Sequence, residues 1–224
     1  MARKSVTANP FVVYDFYDTI EKVIADKSLG PHQIWNCDES GFPSDPKKCR
    51  VIGPSGVEAY RVVPGAGRDN TTVLAAVNAD GRALPPLVIF SGQHHMQSWH
   101  SEQDMPGTMY GVSESGWMTS DVFAEWFDHF CRHVTDRPLL LIFDGHLSHV
   151  STAVILKAMK EDIVIVKLPP HSTDTLQPLD VSCFSPLKGR WEKVLNDWCA
   201  AFGGQRPLRK SDFVENSLRT GLCH

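Results

Sequence analysis

The stretch LLLIFDGHLSHV, residues 139–150, constrains the fold more than any other part of this sequence. Five consecutive apolar residues, 139–143, are typical of a strand that is buried on both faces in a sheet covered by helices. Asp144 follows this strand directly, and its carboxylate is costly to desolvate unless a partner offsets the charge. The sequence therefore predicts a central strand and, at its carboxyl end, an acid whose partner lies elsewhere in the chain.

Periodicity and turn signals place the other elements around this strand. Residues 33–42 (QIWNCDESGF) are predicted to form a strand that ends at Asp38 and Glu39, before a turn at Gly41. Residues 71–92 predict a β-hairpin around Asp80 and Gly81. The remaining predictions are helices over 11–26, 120–134 and 151–160, a strand over 163–170, a helix from Pro186 capped by Ser185, an irregular excursion over 43–67 and a weakly structured connection over 93–118.

The order of these elements predicts an α/β protein with a mixed sheet flanked by helices. Strands that alternate with helices in the second half imply parallel neighbours, and the early hairpin implies an antiparallel edge. In the helix at 120–134, four aromatic residues recur at helical spacing, which predicts a face packed in the core rather than a cofactor site. These residues are Phe123, Trp126, Phe127 and Phe130.

Composition narrows the class of protein. The chain has 224 residues, 42% of them hydrophobic, which is enough to bury the core of one large domain. It lacks the run of about 18 apolar residues that a transmembrane helix needs, so we expect no membrane partner. The net charge of −4 counts against a domain devoted to tight DNA binding, but not against an enzyme that contacts DNA. The six cysteines show no paired spacing, which favours free thiols in a reducing compartment.

Three acids are predicted to share one edge of the sheet. Asp38 and Asp144 end strands, and Asp180 follows the strand at 163–168 on the approach to the last helix. Ligand sites in such sheets gather at the carboxyl ends of strands. Carboxylates about 4 Å apart repel by about 4 kcal/mol at an effective dielectric of 20, so they ionise together only around a cation. Hard ions such as Mg²⁺ or Mn²⁺ suit carboxylate ligands, and two of them could support phosphodiester cleavage.

Four blocks of the sequence resemble the DDE superfamily endonuclease domain of pogo-type transposases in the mariner superfamily, which include jerky-like and centromere-protein-B-like relatives. The blocks are IWNCDESGF, TTVLAAVNADGRALPPLVIFSG, LLLIFDGHLSH and KLPPHSTDTLQPLDVSCFSPLKGRW, and the resemblance covers roughly residues 10–215. The family's third acid follows a Leu-Gln-Pro-Leu run, which selects Asp180 over Asp174, with 35 residues between Asp144 and Asp180.

The resemblance implies a ribonuclease H-like fold and a catalytic, metal-binding triad of Asp38, Asp144 and Asp180 that holds Mg²⁺ or Mn²⁺. It implies cleavage of transposon ends and strand transfer into target DNA, in the nucleus, and leaves a homodimer open. We expect residues 1–30 to be a helical leader and 31–224 to be the endonuclease domain. Measured against the family's pattern, we expect this domain to be truncated at its C-terminus and to lack the N-terminal helix-turn-helix region.

Plainer alternatives remain for each residue. Asp38 could cap a turn at Gly41, Asp144 could form an Asx-turn, and Asp180 could compensate a helix dipole. Glu39 is interpreted as a neighbour and not a ligand. His146 and His149 lack the partners of a zinc site, and His149 could instead orient a carboxylate or phosphate. The chain could also be a domesticated, catalytically inactive nucleic-acid-binding or protein-interaction module. A group of basic residues could line a DNA path or form ordinary helix surface: Lys157, Lys160, Lys167, Lys188, Arg190 and Lys193.

Overall fold

A computed structural model describes residues 9–44, 70–100, 105–144, 151–170, 172–202, 206 and 208–220. His146, His149 and most of the predicted excursion over 43–67 lie outside these ranges. The strands are β1 (Ile34–Pro43), β2 (Asn70–Asn78), β3 (Leu87–Ser91), β4 (Met109–Ser113), β5 (Leu139–Phe143) and β6 (Ile163–Lys167). The helices are α1 (Pro10–Lys27), α2 (Ser120–His133), α3 (Thr152–Lys160), α4 (Thr173–Leu176), a π-helical turn (Leu179–Phe184), α5 (Ser185–Ala201) and α6 (Lys210–Thr220).

The strands form one mixed sheet in the order β4-β3-β2-β1-β5-β6. β1, β5 and β6 run parallel, as predicted, and β1, β2 and β3 are antiparallel neighbours. The predicted antiparallel edge is wrong, because β4 adds to β3 in parallel and places the hairpin inside the sheet. Among the described residues, no helix is long and apolar enough to cross a membrane.

β1 is longer than the sequence predicts. It continues past Asp38 to Pro43, because β2 pairs with it from Trp35 to the end of the strand. Gly41 therefore lies inside β1, opposite Thr72, and the predicted turn there is wrong. Because there is no turn at Gly41, the alternative in which Asp38 caps that turn is also wrong.

The two faces of the sheet carry separate cores. On the face covered by α2 and α3, termed the α2 face, the predicted aromatic stripe of α2 is fully buried against Trp35 and Leu141. On the opposite face, termed the α5 face, Phe42 and Val73 pack against α5 and α6. Alternate residues of β1 point to opposite faces, so Trp35 and Cys37 serve one core and Phe42 the other.

α5 begins differently from the prediction. Ser185 does not cap it, because Phe184 and Ser185 are already helical and the π-helical turn runs directly into α5. Pro186 lies in the first turn of α5, directly after the π-helical turn. α5 is tied to the end of β1 by Trp191, whose Nε1 donates to the Pro43 carbonyl at 2.8 Å and whose ring contacts Phe42 edge-on.

The attachment of α5 predicts a specific cost of mutation. Trp191→Leu removes a fully buried indole and leaves the Pro43 carbonyl without its donor, so we expect the free energy of unfolding to fall by about 3 kcal/mol. Trp117→Leu is the matched control, because Trp117 is 52% exposed, and it should change stability by less than about 0.5 kcal/mol. Urea unfolding measures both, and equal effects would contradict the assignment of Trp191 to the core.

Candidate active site

The parallel pairing of β1 with β5 places Asp38 beside Asp144. Asn36 pairs with Ile142; Asp38 lies two residues further along β1, and Asp144 lies two residues further along the chain, just past the end of β5. Because directly opposed residues of neighbouring strands point to the same face, the two carboxylates start from adjacent positions on the α5 face. Both side chains are buried, with exposures of 5% and 7%. These are the two acids that the sequence predicts at strand ends, although Asp38 lies mid-strand.

Asp180 lies near Asp38 but comes from the π-helical turn and not from a strand. It is the second residue of the π-helical turn and is half-buried. Gln177, one turn earlier, is fully buried and its Nε2 donates to the Cys37 carbonyl at 3.4 Å. This contact joins the segment before Asp180 to β1 next to Asp38. The three predicted acids are therefore brought to one edge of the sheet, and their metal-binding role stays a prediction.

The pKa of Asp38 is displaced by burial and by the two other acids. Burial, then the charges of Asp180 and Asp144, raise its pKa to about 7, against the opposing hydrogen bonds from the Glu39 backbone and the Gln177 side chain. Its Oδ2 atom is buried and has no hydrogen-bond partner in the described part of the chain. If Asp38 is ionised in this setting, its carboxylate needs a nearby cation, and Oδ2 is free to contact one.

Glu39 points to the α2 face, since alternate residues of a strand face opposite ways. Burial and the charge of Asp144 raise its pKa to about 7, and a hydrogen bond from the Met118 backbone opposes that rise. This bond connects β1 to the segment that leads into α2. Glu39 thus lies near Asp144 and accepts from a backbone donor, and that it is not a ligand stays a prediction.

Sequence reasoning missed the polar residues around Asp38. Asn36 Nδ2 donates to the Ile142 carbonyl at 3.0 Å and links β1 to β5 just before the two aspartates. Within the described ranges, the buried atoms Asn36 Oδ1, Ser40 Oγ and Gln177 Oε1 have no hydrogen-bond partner. A period-two signal was available: Asn36, Asp38 and Ser40 alternate with apolar or partly buried residues in one strand, which indicates a polar stripe facing a covered site.

The three carboxylates are the type of ligand that a hard divalent cation prefers, but they do not all converge on the position of a single ion. Carboxylate oxygens are preferred ligands of Mg²⁺ and Mn²⁺, and Asp38 has an unpartnered buried oxygen. Across the residues that the structure describes, however, no group of three His, Cys, Asp or Glu side chains is positioned to hold one ion. Because Mg²⁺ commonly takes only one or two protein carboxylates and keeps several waters, pairs of these acids remain adequate ligands.

A cavity of about 270 Å³ lies on the α5 face, next to residues that neighbour two of the acids. Its mostly apolar walls come from β2, the segment after it, the π-helical turn and α5, and Arg190 stands among them. Ala75 in its wall pairs with Asp38 in the sheet, and Leu179 precedes Asp180. The described residues that line this cavity thus include neighbours of Asp38 and Asp180, but not the acids themselves.

Of the six basic residues singled out from the sequence, five lie on α3 and α5 and one on β6, and Lys160 and Lys167 are exposed at the ends of α3 and β6. Lys157 forms an ion pair with Asp128 on α2, so it is engaged within the fold. Lys188, Arg190 and Lys193 lie exposed on α5, the helix that continues from Asp180. These three residues lie on the helix that follows Asp180 in the chain.

The raised pKa of Asp38 predicts how stability depends on pH. The unfolded chain has a carboxyl pKa of about 3.9, so between about pH 4 and 7 the folded state holds a proton that the unfolded state has lost. Stability contributed by this group is therefore lost as pH rises. In metal-free buffer the free energy of unfolding should fall by about 2–3 kcal/mol more between pH 5 and pH 8 in wild type than in Asp38→Asn.

The matched control is Asp18→Asn, on the exposed face of α1, which should keep the wild-type pH profile. Denaturant unfolding at several pH values measures all three proteins. Parallel profiles for wild type and Asp38→Asn would show that Asp38 is not in a crowded, buried setting.

Comparison with known proteins shows the family. Residues 68–212 match the model of the DDE superfamily endonuclease, a range that includes Asp144 and Asp180 but begins after Asp38. A protein named MFS-type transporter clz9 of Cochliobolus lunatus is 33% identical over 177 residues, 76% of this chain and 19% of that protein. The human Pogo transposable element with KRAB domain is 27% identical over 75% of this chain and 28% of that protein. The CENP-B homolog protein 2 of Schizosaccharomyces pombe is 25% identical over 73% and 32%.

The chain thus spans from a fifth to a third of the length of these relatives. Among solved structures, the Mos1 transposase paired-end complex with left transposon end aligns with a TM-score of 0.53 at 14% identity, over 100% of this chain and 64% of that chain. The Mos1 strand transfer complex aligns at 0.52 and 16% identity, over 96% and 61%. These likenesses confirm the predicted ribonuclease H-like fold. The chain belongs to the DDE superfamily endonucleases and carries a transposase-derived endonuclease domain.

Proposed function

We propose that this chain cleaves DNA phosphodiester bonds with the help of divalent metal ions and joins the freed 3′ ends to target DNA. The observation that carries the proposal is the crowding of Asp144 and Asp180 around Asp38, whose buried Oδ2 has no partner among the described residues. Like charges gathered in a buried place cost stability unless a cation offsets them. The family match and the likeness to transposase complexes with transposon ends support DNA as the substrate.

Asp38, Asp144 and Asp180 would hold Mg²⁺ or Mn²⁺, with Asp38 shared between its two neighbours. Two bound ions would supply an activated attacking oxygen and stabilisation of the leaving oxygen. Asp38 is suited to the shared position because its pKa responds to both other acids. Solved Mos1 paired-end complexes with Mg and with Mn support this choice of ions.

The neighbouring side chains hold these acids in place. Gln177 connects the segment before Asp180 to the Cys37 carbonyl, and its side chain also hydrogen-bonds the Asp38 carboxylate. Asn36 fixes β1 to β5 one step before the aspartates. Such supports restrict the side chains to one geometry, which a cleavage site needs because small misplacements of catalytic groups cost large factors in rate.

DNA would approach along the exposed side of α5. Lys188, Arg190 and Lys193 offer phosphate contacts there, and Lys167 is exposed at the carboxyl end of β6. Phosphate contacts of this kind position a duplex without reading its sequence. A local basic surface is needed because the whole chain carries a net charge of −4. A nuclear location and a homodimer remain part of this proposal through the family resemblance.

A second function, a non-catalytic binding module that keeps the fold, is favoured by one observation. The described residues contain no group of three His, Cys, Asp or Glu side chains positioned to hold one ion. In such a module the acids would remain as a relic, and DNA or protein binding would not depend on metal.

One assay separates the two functions. In Mn²⁺ the wild-type protein should nick a DNA duplex, and Asp144→Asn should lower the rate by at least about a hundredfold, the scale on which one electrostatic contact acts in an active site. Asp136→Asn, an exposed residue before β5, is the matched control and should keep the wild-type rate. Equal inactivity of all three proteins, with DNA binding retained, would favour the binding module.

A further inference from the structure

Two histidines near the end of α2 form a pair that the cleavage site does not use. His129 and His133 are separated by one helical turn, and their ring centroids lie 4.1 Å apart with a tilt of 41°. His129 is 5% exposed, whereas His133 is exposed to solvent. Side chains four residues apart on a helix share one face, which is the spacing that lets two imidazoles bind one metal ion.

The backbone already orients both rings. His133 Nδ1 lies 2.9 Å from the His129 carbonyl, so this nitrogen must be the donor, because a carbonyl can only accept. His129 forms a hydrogen bond with the Pro85 backbone. Its Nε2 is buried and has no partner in the described part of the chain, so the bond to Pro85 comes from Nδ1. In both rings the proton therefore resides on Nδ1, and Nε2 carries a lone pair.

This tautomer arrangement is typical of metal-binding histidines. In metal sites the ligating imidazole usually donates its other N–H to a carbonyl or carboxylate, which holds the ring and raises its basicity. A buried Nε2 without a partner also requires an explanation in a folded protein. Burial, followed by the charge of His133, lowers the pKa of His129, which keeps this ring neutral and able to bind metal at neutral pH.

We propose that His129 and His133 form a binding site for a borderline transition-metal cation such as Zn²⁺. Imidazole nitrogens suit Zn²⁺, Ni²⁺ and Cu²⁺, unlike the oxygen ligands that Mg²⁺ prefers. His133 is the last residue of α2, where the helix dipole favours a cation. Since no third His, Cys, Asp or Glu joins the pair within the described ranges, water or an external donor completes the shell.

Two arginines near the histidine pair lower its affinity for a cation, and the loop at Gly107 lies beside the nitrogen that an ion would reach. Arg82 donates to the His133 carbonyl at 3.4 Å, and the charge of Arg132 acts on His129, so two cations stand close to the site. A Cβ added to Gly107 would lie 3.3 Å from His133 Nε2, which places the backbone of this loop beside the open nitrogen. His133 is the exposed member of the pair, so an ion can reach it from solvent.

Zn²⁺ alone is the probe, in an Asp144→Asn background that weakens any binding at the acids. We expect uptake of one Zn²⁺ in competition with a fluorescent chelator and a rise in melting temperature. His133→Ala should weaken this binding by at least about tenfold, the scale on which even outer contacts of a metal site matter. Because His133 is exposed, this variant should fold, and His129→Gln tests the buried partner.

His100→Ala is the matched control. It breaks a second described histidine pair, in which His95 Nε2 and His100 Nε2 lie 2.9 Å apart on an exposed segment before β4, and it should leave the Zn²⁺ response unchanged. The proposal is overturned if the parent protein shows no response to Zn²⁺, if His133→Ala responds as the parent does, or if His100→Ala abolishes the response.

Discussion

The parallel pairing between β1 and β5 determines where the chemistry of this protein can lie. It aligns Asn36 with Ile142, and the next residues on the same face are Asp38 and Asp144. The helical segment at 179–201 then covers this face and brings Asp180 towards Asp38. Trp191 and Gln177 attach that segment to β1 through backbone carbonyls, so the position of the third acid depends on packing on the α5 face.

The buried acids and their polar neighbours on β1 lower the stability of the fold, and the two hydrophobic cores offset that cost. The α2 face carries a dense aromatic core, and the α5 face has its own core around Phe42 and Trp191. Beside the second core, on the α5 face of β1, polar atoms of Asn36, Asp38 and Ser40 are buried without partners in the described part of the chain. Departures from polar satisfaction are expected where a site must leave ligands open for a substrate or ion.

Much of the fold could be predicted from the sequence, because its strands and helices carry clear periodicities. The aromatic stripe of α2 is confirmed as buried core, and so is the apolar run 139–143 apart from the half-buried Ile142. β4 was missed because Met109–Ser113 is short, contains Gly111 and is an edge strand whose residues are mostly half-buried. The turn at Gly41 was wrong because pairing with β2 overrides a local turn signal. Gln177 could not be found by periodicity, since its role depends on a contact with β1, 140 residues away in the chain.

The central claim is that these carboxylates share divalent cations, and anomalous diffraction from crystals soaked in Mn²⁺ tests it most directly. The account predicts Mn²⁺ at about 2.1–2.3 Å from oxygens of both Asp38 and Asp144, with Asp180 in the shell of an ion that also contacts Asp38. It is contradicted if the anomalous map shows no Mn²⁺ at this edge of the sheet, or an ion that Asp38 does not contact.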